Sequence, residues 1–327
     1  MELMVMGIDV GKEKLDVCLR LADRRVFGQF ENTAAGYQLL MRWLVKQGVQ
    51  RLHVCMEATG QYGDDVAEYF YKKGQIVSVV NPARIKHYGR SQLRRNKTDK
   101  ADAELIADFG ANQKPAPWSP LSPEIKALQA LVRRLEDLMS ARLQEANRLQ
   151  SGVSIPAVTE DIQAHLEFLD QKICKLKAAI RELMDQYPHL HHQQTLLETI
   201  PGIGWLTAAK ILAEIRNIQD FESARQLAAY AGLTPENTFS GSSVHKKPRL
   251  SKKGNANLRK ALFMPAISAK HHNPIVAEFC GRLLASGHCP MEVVGAAMRK
   301  LLHIVYGVLK HDQPFDPHYL DSPMILS

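Results

Sequence analysis

Between Leu3 and Phe109 the apolar residues keep changing period, from alternation to helical spacing and back, and each change admits only one kind of element. The stretches "LMVMGIDV", "KLDVCLRLA" and "RRVFGQFEN" read as strands joined by hairpin turns at Gly11-Lys12 and Asp23-Arg24. A helical stretch, "AGYQLLMRWLVKQG", follows and closes at Gly48, a helix-ending residue. Strand "RLHVCMEA", helix "DDVAEYFYKKG", strand "QIVSVV" and, after Asn81-Pro82, helical material through residue 110 complete an α/β unit.

That order, three strands in meander and then helix, strand, helix, strand, helix, is the order of a ribonuclease H-like domain. Within it, acids stand in apolar company. Asp9 lies inside "VMGIDV", where an unpaired charge is expensive, and Glu57 ends the apolar strand "HVCMEA". In "NKTDKADAELIADF" each helical residue advances by about 100°, which puts Asp102 beside Ile106 and Phe109 and sends Asp99 the same way. Glu104 and Asp108 fall on the other side, where solvated acids are expected. Thr98 as N-cap offers a purely structural alternative, because first-turn acids complement the helix dipole. In the proposed sheet, however, the first and fourth strands are neighbours and the last helix packs beside them. Asp9, Glu57, Asp99 and Asp102 are then expected to share one pocket. Four carboxylates cannot all stay ionised there without positive charge between them. Hard oxygen ligands suit Mg2+, and two such ions about 4 Å apart would serve a phosphoryl displacement.

Residues 111–123, "ANQKPAPWSPLSP", hold four prolines and read as a linker. Beyond it, Ile125, Leu128, Val132, Leu135, Met139, Arg142, Ala146 and Leu149 keep 3,4 spacing, and after "SGVSIPAVTE" the spacing resumes from Ile162 to Leu183. The pattern predicts two long helices, as an antiparallel hairpin, a coiled-coil dimerisation arm or members of a bundle. The expected organisation is a catalytic domain at 1–115, the helical arm at 116–190 and a mostly helical C-terminal domain at 191–327. In the last, "LLETIPGIGWLTAAKILAEI" has the form of a helix-hairpin-helix, in which Gly202 and Gly204 would let backbone N–H groups approach a phosphate.

The net charge of +8 is concentrated. Seven Lys/Arg stand between Arg84 and Lys100 against one acid, and seven stand between His245 and Lys260 against none, so the remainder is net acidic. Two local basic patches suggest a polyanion held in defined places. The candidate nucleic-acid contacts are Arg84, Lys86, Arg90, Arg94, Arg95 and Lys97 in the first patch, and Lys246, Lys247, Arg249, Lys252, Lys253 and Arg259 in the second. No apolar run reaches the roughly 18 residues of a membrane span, and the opening "MELMVMGIDVGKEK" is too short and acidic for a secretory leader, which points to the cytoplasm. Five cysteines form no C-x-x-C pair and argue against a disulfide framework; Cys280, His288 and Cys289 lack the second ligand pair of a zinc site.

Taken in order, "GIDVGKEKLDV", "MEATGQYG", "VNPARIKHYGRS", "NKTDKADAELIADF", "IPGIGWLTAAKILAEI", "YAGLTPENTFSGSS" and "RLSKKGNANLRKAL" resemble the DEDD transposases of the IS110 insertion-sequence family, related to the Piv DNA invertases and described as bridge-RNA-guided recombinases. The resemblance spans nearly the whole chain. It implies that Asp9, Glu57, Asp99 and Asp102 form a RuvC-like metal-binding tetrad with Mg2+. It also implies a C-terminal catalytic serine in a Ser-Gly context, matched here by Ser240-Gly241, which holds a DNA strand as a phosphoserine. From the residues alone Ser240, Ser242 and Ser243 are equal candidates in what otherwise reads as a flexible basic loop. The further implied partners are target and donor DNA, a structured noncoding guide RNA, and a second protomer, in a dimer or tetramer, that completes each active site.

Three other readings are available. A junction-resolving nuclease would use the same acids with water as nucleophile. An actin-like ATPase would explain "GIDVG", but the chain has no Gly-Gly pair for a second phosphate loop. A non-catalytic nucleic-acid scaffold would leave the inward acids unexplained.

Overall fold

In the computed structural model, residues 4–58, 60–93, 98–152, 155–240 and 244–318 are described, with the backbone alone at Gln61, 237–240 and 244–248. The chain divides into two compact units, Met1–Pro120 and Leu121–Ser327.

The first unit is built on five strands: β1 (Met4–Val10), β2 (Lys14–Arg20), β3 (Arg25–Glu31), β4 (Leu52–Glu57) and β5 (Ile76–Val80), in the order β3-β2-β1-β4-β5. The first three form an antiparallel meander, and β1, β4 and β5 run parallel. Alternation decides what each face carries. Met6, Ile8 and Val10 join Leu15, Val17, Val54 and Met56 in a core closed by helices α1 (Ala34–Lys46) and α2 (Gln61–Lys72) through Leu40, Leu44 and Phe70. The opposite face holds Cys18 and Cys55 beneath α3 (Pro82–Ser91) and α4 (Asp99–Gln113), which contribute Ile85, Ala103, Ile106, Ala107 and Phe109. The element order read from the sequence is thus present in this unit.

The proline-rich stretch after α4 does not leave at once. Lys114 ends the helix in the left-handed region at φ 42°, and Trp118 N donates to Val77 O at 2.7 Å. Ser78 Oγ lies 2.8 Å from Ala116 O and 2.8 Å from His53 Nε2. Part of the expected linker is therefore tied to the edge strand β5, and the unit ends at Pro120.

The second unit begins with two long helices, α5 (Pro123–Gln150) and α6 (Pro156–Gln186), packed together along their length as a hairpin. Near their base, Leu128, Val132, Leu135, Ile173 and Ile180 enter the same core as Leu212, Leu262 and Leu302. Farther out, Arg142 Nη2 donates to Asp170 Oδ2 at 2.9 Å across the pair, and Leu143 and Ile155 are exposed. The rest of the unit comprises α7 (Pro188–Glu198), α8 (Trp205–Ile215), α9 (Ala224–Tyr230), strands β6 (Pro235–Ser240) and β7 (Val244–Leu250), and helices α10 (Ala256–His272), α11 (Pro274–Ala285) and α12 (Pro290–His311). The basic stretch read as a flexible loop is a two-stranded antiparallel ribbon on its described residues. Among the described residues no helix is long and apolar enough to cross a membrane.

Candidate active site

Two glycines let α4 lie on the sheet. A Cβ at Gly7 would stand 2.3 Å from Ala103 O and Ala107 N, and one at Gly110 would stand 2.9 Å from Cys55 Cβ and Val5 Cγ1. Helix and strands therefore touch backbone to backbone, and the first turn of α4 arrives at the end of β1. Thr98 caps that turn by accepting from Ala101 N at 3.2 Å.

Asp9 is the penultimate residue of β1, on the face turned to α4. Burial raises its pKa, and the charges of Asp102, Asp99 and Asp16 raise it further, against a smaller opposing effect of Lys14. Asp9 and Asp16 are direct partners across the β1–β2 ladder. Lys14 places Nζ 2.6 Å from Asp99 Oδ2 and 3.2 Å from Asp16 Oδ2, and Gln29 Nε2 donates to Asp16 Oδ1 at 2.8 Å. Glu57 is one position beyond the pair Ile8–Met56, so it ends the strand beside Asp9. Its charge acts on Cys55, whose thiol is pushed up to about 12 by burial, lowered by Arg84 and raised by Glu57.

Asp9, Asp99 and Asp102 thus share one electrostatic field, with Asp16 as a further member that the sequence reading missed. Its signal was nonetheless present: Leu15 and Val17 point to the α1–α2 face, so Asp16 must point to the other. As they stand, among the described residues no three His, Cys, Asp or Glu side chains are close enough to hold a metal ion. The donor set fits a hard divalent cation by chemistry, oxygen ligands with mutual repulsion. The ammonium of Lys14 supplies part of the compensation meanwhile.

Glu104 and Asp108 depart from expectation. Asp108 is buried and takes Arg25 Nη2 at 2.9 and 3.1 Å, with Arg20 at 3.5 Å, while Glu104 takes Arg25 Nη1 at 2.5 Å. The β2–β3 hairpin extends past α4 and supplies these guanidiniums, so the far side of the helix is an ion-paired seam rather than a solvated one. In the first basic patch, Arg84, Lys86 and Arg90 lie exposed on α3, with Arg84 5.4 Å from the Phe109 ring centre. Arg94, Arg95 and Lys97 lie outside the described residues.

In the second unit Ser240 ends β6, paired with Val244 of β7, and Ser242 and Ser243 lie outside the described residues. Lys246 and Lys247 are on β7. Arg249 is exposed, Lys253 pairs with Glu236 at 2.7 Å, and Lys252 adopts φ 53° in the turn into α10. Arg259 Nη1 donates to Ala231 O at 2.9 Å, so this guanidinium serves the fold. The two glycines of the helix turn differ. A Cβ at Gly202, where φ is +102°, would meet Ala269 N at 2.9 Å, whereas Gly204, at the start of α8, has nothing within 4 Å.

A buried carboxylate anchors the turn that carries Lys252 and Lys253. Glu214 of α8 is 2% exposed. It accepts from Arg133 Nε at 3.1 Å and Nη2 at 3.3 Å, from Asn255 Nδ2 at 2.8 Å and from Asn257 Nδ2 at 3.3 Å. The adjacent Gly254 is obligatory, since a Cβ there would lie 2.3 Å from Tyr230 O. Helical periodicity could not reveal this network, because its members come from three distant segments.

Comparison with known proteins shows the family. A DEDD transposase model of the IS110 type matches residues 6–154, and a model described as "Transposase IS116/IS110/IS902 family" matches residues 194–280. The pilin gene-inverting protein of Moraxella bovis is 34% identical over 315 residues, which cover 95% of this chain and 97% of that protein. The chain belongs to the IS110 transposase family. Within the IS110 family the transposase for insertion sequence element IS1111A of Coxiella burnetii is 23% identical over 83% of this chain and 79% of its own. Among solved structures, RuvC of T. thermophilus in complex with a Holliday junction substrate aligns at 13% identity with a TM-score of 0.27, over 35% of this chain and 98% of that chain. The first IS110 match contains Asp9, Glu57, Asp99 and Asp102; the second contains Glu214, Ser240 and the basic turn.

Proposed function

We propose that the chain is the divalent-metal-dependent DNA recombinase of an insertion sequence and cuts and rejoins strands through a phosphoserine at Ser240. The observation that carries the reading is the convergence of Asp9, Asp99 and Asp102 at the end of β1 in an IS110-family chain. The name of the Moraxella relative, a pilin gene-inverting protein, supports rearrangement over degradation. Asp9, Glu57, Asp99 and Asp102 would hold Mg2+, two ions in the full site. Bound there, the metal supplies Lewis-acid stabilisation of the attacking and leaving oxygens. Asp99 would release Lys14 to take part, leaving that ammonium for Asp16 or for a phosphate.

Ser240 Oγ gives up its proton and bonds to the scissile phosphorus, while the sugar oxygen of the cut strand leaves and takes up a proton as a hydroxyl. A sugar hydroxyl of the second strand then reverses the exchange. The number of phosphodiester bonds is conserved, so no ATP is needed. Exposed Arg84, Lys86 and Arg90, with Arg249, Lys252 and Lys253, provide cations for the DNA backbone. Target and donor choice belongs to a guide RNA in this reading, since base pairing can carry sequence while protein reads backbone and shape. Acids and serine reside in different units, and their pairing between two copies of the chain is part of the proposal.

The test is Ser240→Ala on DNA carrying the element's ends, with protein purified together with RNA from its own locus. The expected result is loss of strand exchange and of the DNA-linked serine in mass spectra. Continued cutting by Ser240→Ala would favour the water-using nuclease, with the same acids.

A further inference from the structure

At the foot of the β6–β7 ribbon a groove of about 1110 Å3 opens against α11 and α12. It exceeds the roughly 300–1,000 Å3 of a drug-sized ligand site. Its floor is apolar: Leu233, Leu250, Phe279 and Leu283 line it, and Gly295 lets α12 close to 3.0 Å from Leu250 Cδ1 for any added Cβ. Its rim is cationic. Arg249 and Lys252 approach from the ribbon, Arg299 and Lys300 from α12, and among the described residues none of the four has an ion pair. The acid in the lining, Glu292, is already engaged, accepting from Cys289 N at 3.2 Å and lying 3.5 Å from His288 Nδ1. His303 adds a buried Nε2 that has no hydrogen-bond partner among the described residues. Burial, then Arg299, Lys300 and Arg225, lower the pKa of this ring.

Four uncompensated cations call for a polyanion, and a broad apolar floor with Phe279 calls for flat apolar bodies. Unstacked nucleotides present both on one chain, which is how single strands are bound by positive grooves with stacking platforms. A duplex hides its base faces, and an acidic peptide offers a flat face only at its occasional aromatic residues, whereas every nucleotide carries one beside its charge. We propose that this groove holds a single-stranded segment of the DNA being exchanged, with bases on the Leu250–Phe279 floor and phosphates on the Arg249, Lys252, Arg299 and Lys300 rim. The location is apt. Pro235 lines the groove and Ser240 lies five residues along β6, about 17 Å away at roughly 3.3 Å per residue. The identity of the strand rests on the recombinase reading; the binding does not require Ser240 to be the nucleophile.

The experiment is fluorescence anisotropy with full-length protein and labelled oligonucleotides: single-stranded DNA, its duplex, and RNA of the same sequence, over a salt series. Arg299→Gln with Lys300→Gln is expected to weaken single-stranded DNA about tenfold. It should also reduce the salt slope by about 1.4, at roughly 0.7 per lost phosphate contact. Met291→Ala, at a lining residue 67% exposed, should weaken the same probe about threefold with the slope unchanged. Duplex affinity should change less than twofold in both. Should the double variant lose its circular-dichroism spectrum, Arg249→Gln and Met291→Ala decide. Unchanged single-strand affinity, an equal loss for duplex, or a preference for RNA would overturn the proposal. Ser240→Ala is the separating control: if it still cuts DNA with wild type showing no DNA-linked serine the recombinase reading fails, while the groove stands or falls on the anisotropy alone.

Discussion

The two units handle charge in opposite ways. The first gathers Asp9, Asp16, Asp99 and Asp102 in one electrostatic field, with Lys14 paired to Asp16 and Asp99, and Asp9 feels the surplus as a raised pKa caused first by burial and then by its neighbours. The second gathers cations around the foot of a ribbon and keeps its buried acid, Glu214, saturated by Arg133, Asn255 and Asn257. In the proposals made above, a divalent cation would relieve the first and a polyanion the second. The contrast separates groups paired within the fold from groups left for the proposed ligands. Arg133, Arg25 and Arg259 are spent on protein acceptors, whereas among the described residues Arg249, Lys252, Arg299 and Lys300 have no ion pair.

The sharpest way to break the contrast is to remove Glu214, which should be structural throughout. Glu214→Ala is expected to cost the second unit about 3 kcal/mol in urea unfolding, because it strips two part-buried amides and the half-exposed Arg133 of their acceptor and leaves a void. A cost below about 1 kcal/mol would mean that water takes over. Gly7→Ala comes next, at about 3 kcal/mol in the first unit, since its Cβ would drive α4 off β1. Activity should fall more than stability, because the same shift carries Asp99 and Asp102 away from Asp9.

These two sites also mark what could be read from sequence and what could not. Strands β1 to β5 followed from apolar runs bounded by turn residues, which are local rules; helical spacing sent Asp99 inward with Asp102, but the Asp99 side chain, at the first turn of α4, is 57% exposed and held by Lys14. Asp108 did not follow from such rules. The helical wheel placed it opposite the apolar stripe, and only the reach of the β2–β3 hairpin, a tertiary fact, supplies Arg20 and Arg25 to bury it. The β6–β7 ribbon escaped because "FSGSSVHKKPRL" has no alternation, and its ladder shifts register between Glu236 and Thr238. Gly202 was visible as a required glycine, but its close neighbour is α10 at Ala269, which no local pattern contains.

Smaller effects refine the comparison. Lys14→Ala should lower the melting temperature in EDTA yet tighten Mg2+ a few-fold, since Asp99 no longer has to be released from Nζ. Acid should affect both units alike, through one histidine each. His53 and His303 have pKa values depressed below 6.5, by burial first, so the unfolded chain binds protons more readily. The stability they contribute is present above pH 6.5 and is lost as pH falls through their folded-state values. Urea midpoints at descending pH should show this decline, and His53→Gln should flatten it for the first unit.

The central claim is that the acids of the first unit are arranged to receive a divalent cation. Thermal unfolding with and without Mg2+, in wild type and Asp9→Asn, tests it most directly. Saturation at about a hundred times Kd should stabilise wild type by about 2.7 kcal/mol, while Asp9→Asn should be the more stable protein in EDTA and gain nothing from Mg2+. Equal Mg2+ responses in the two proteins, or none in either, would contradict the account.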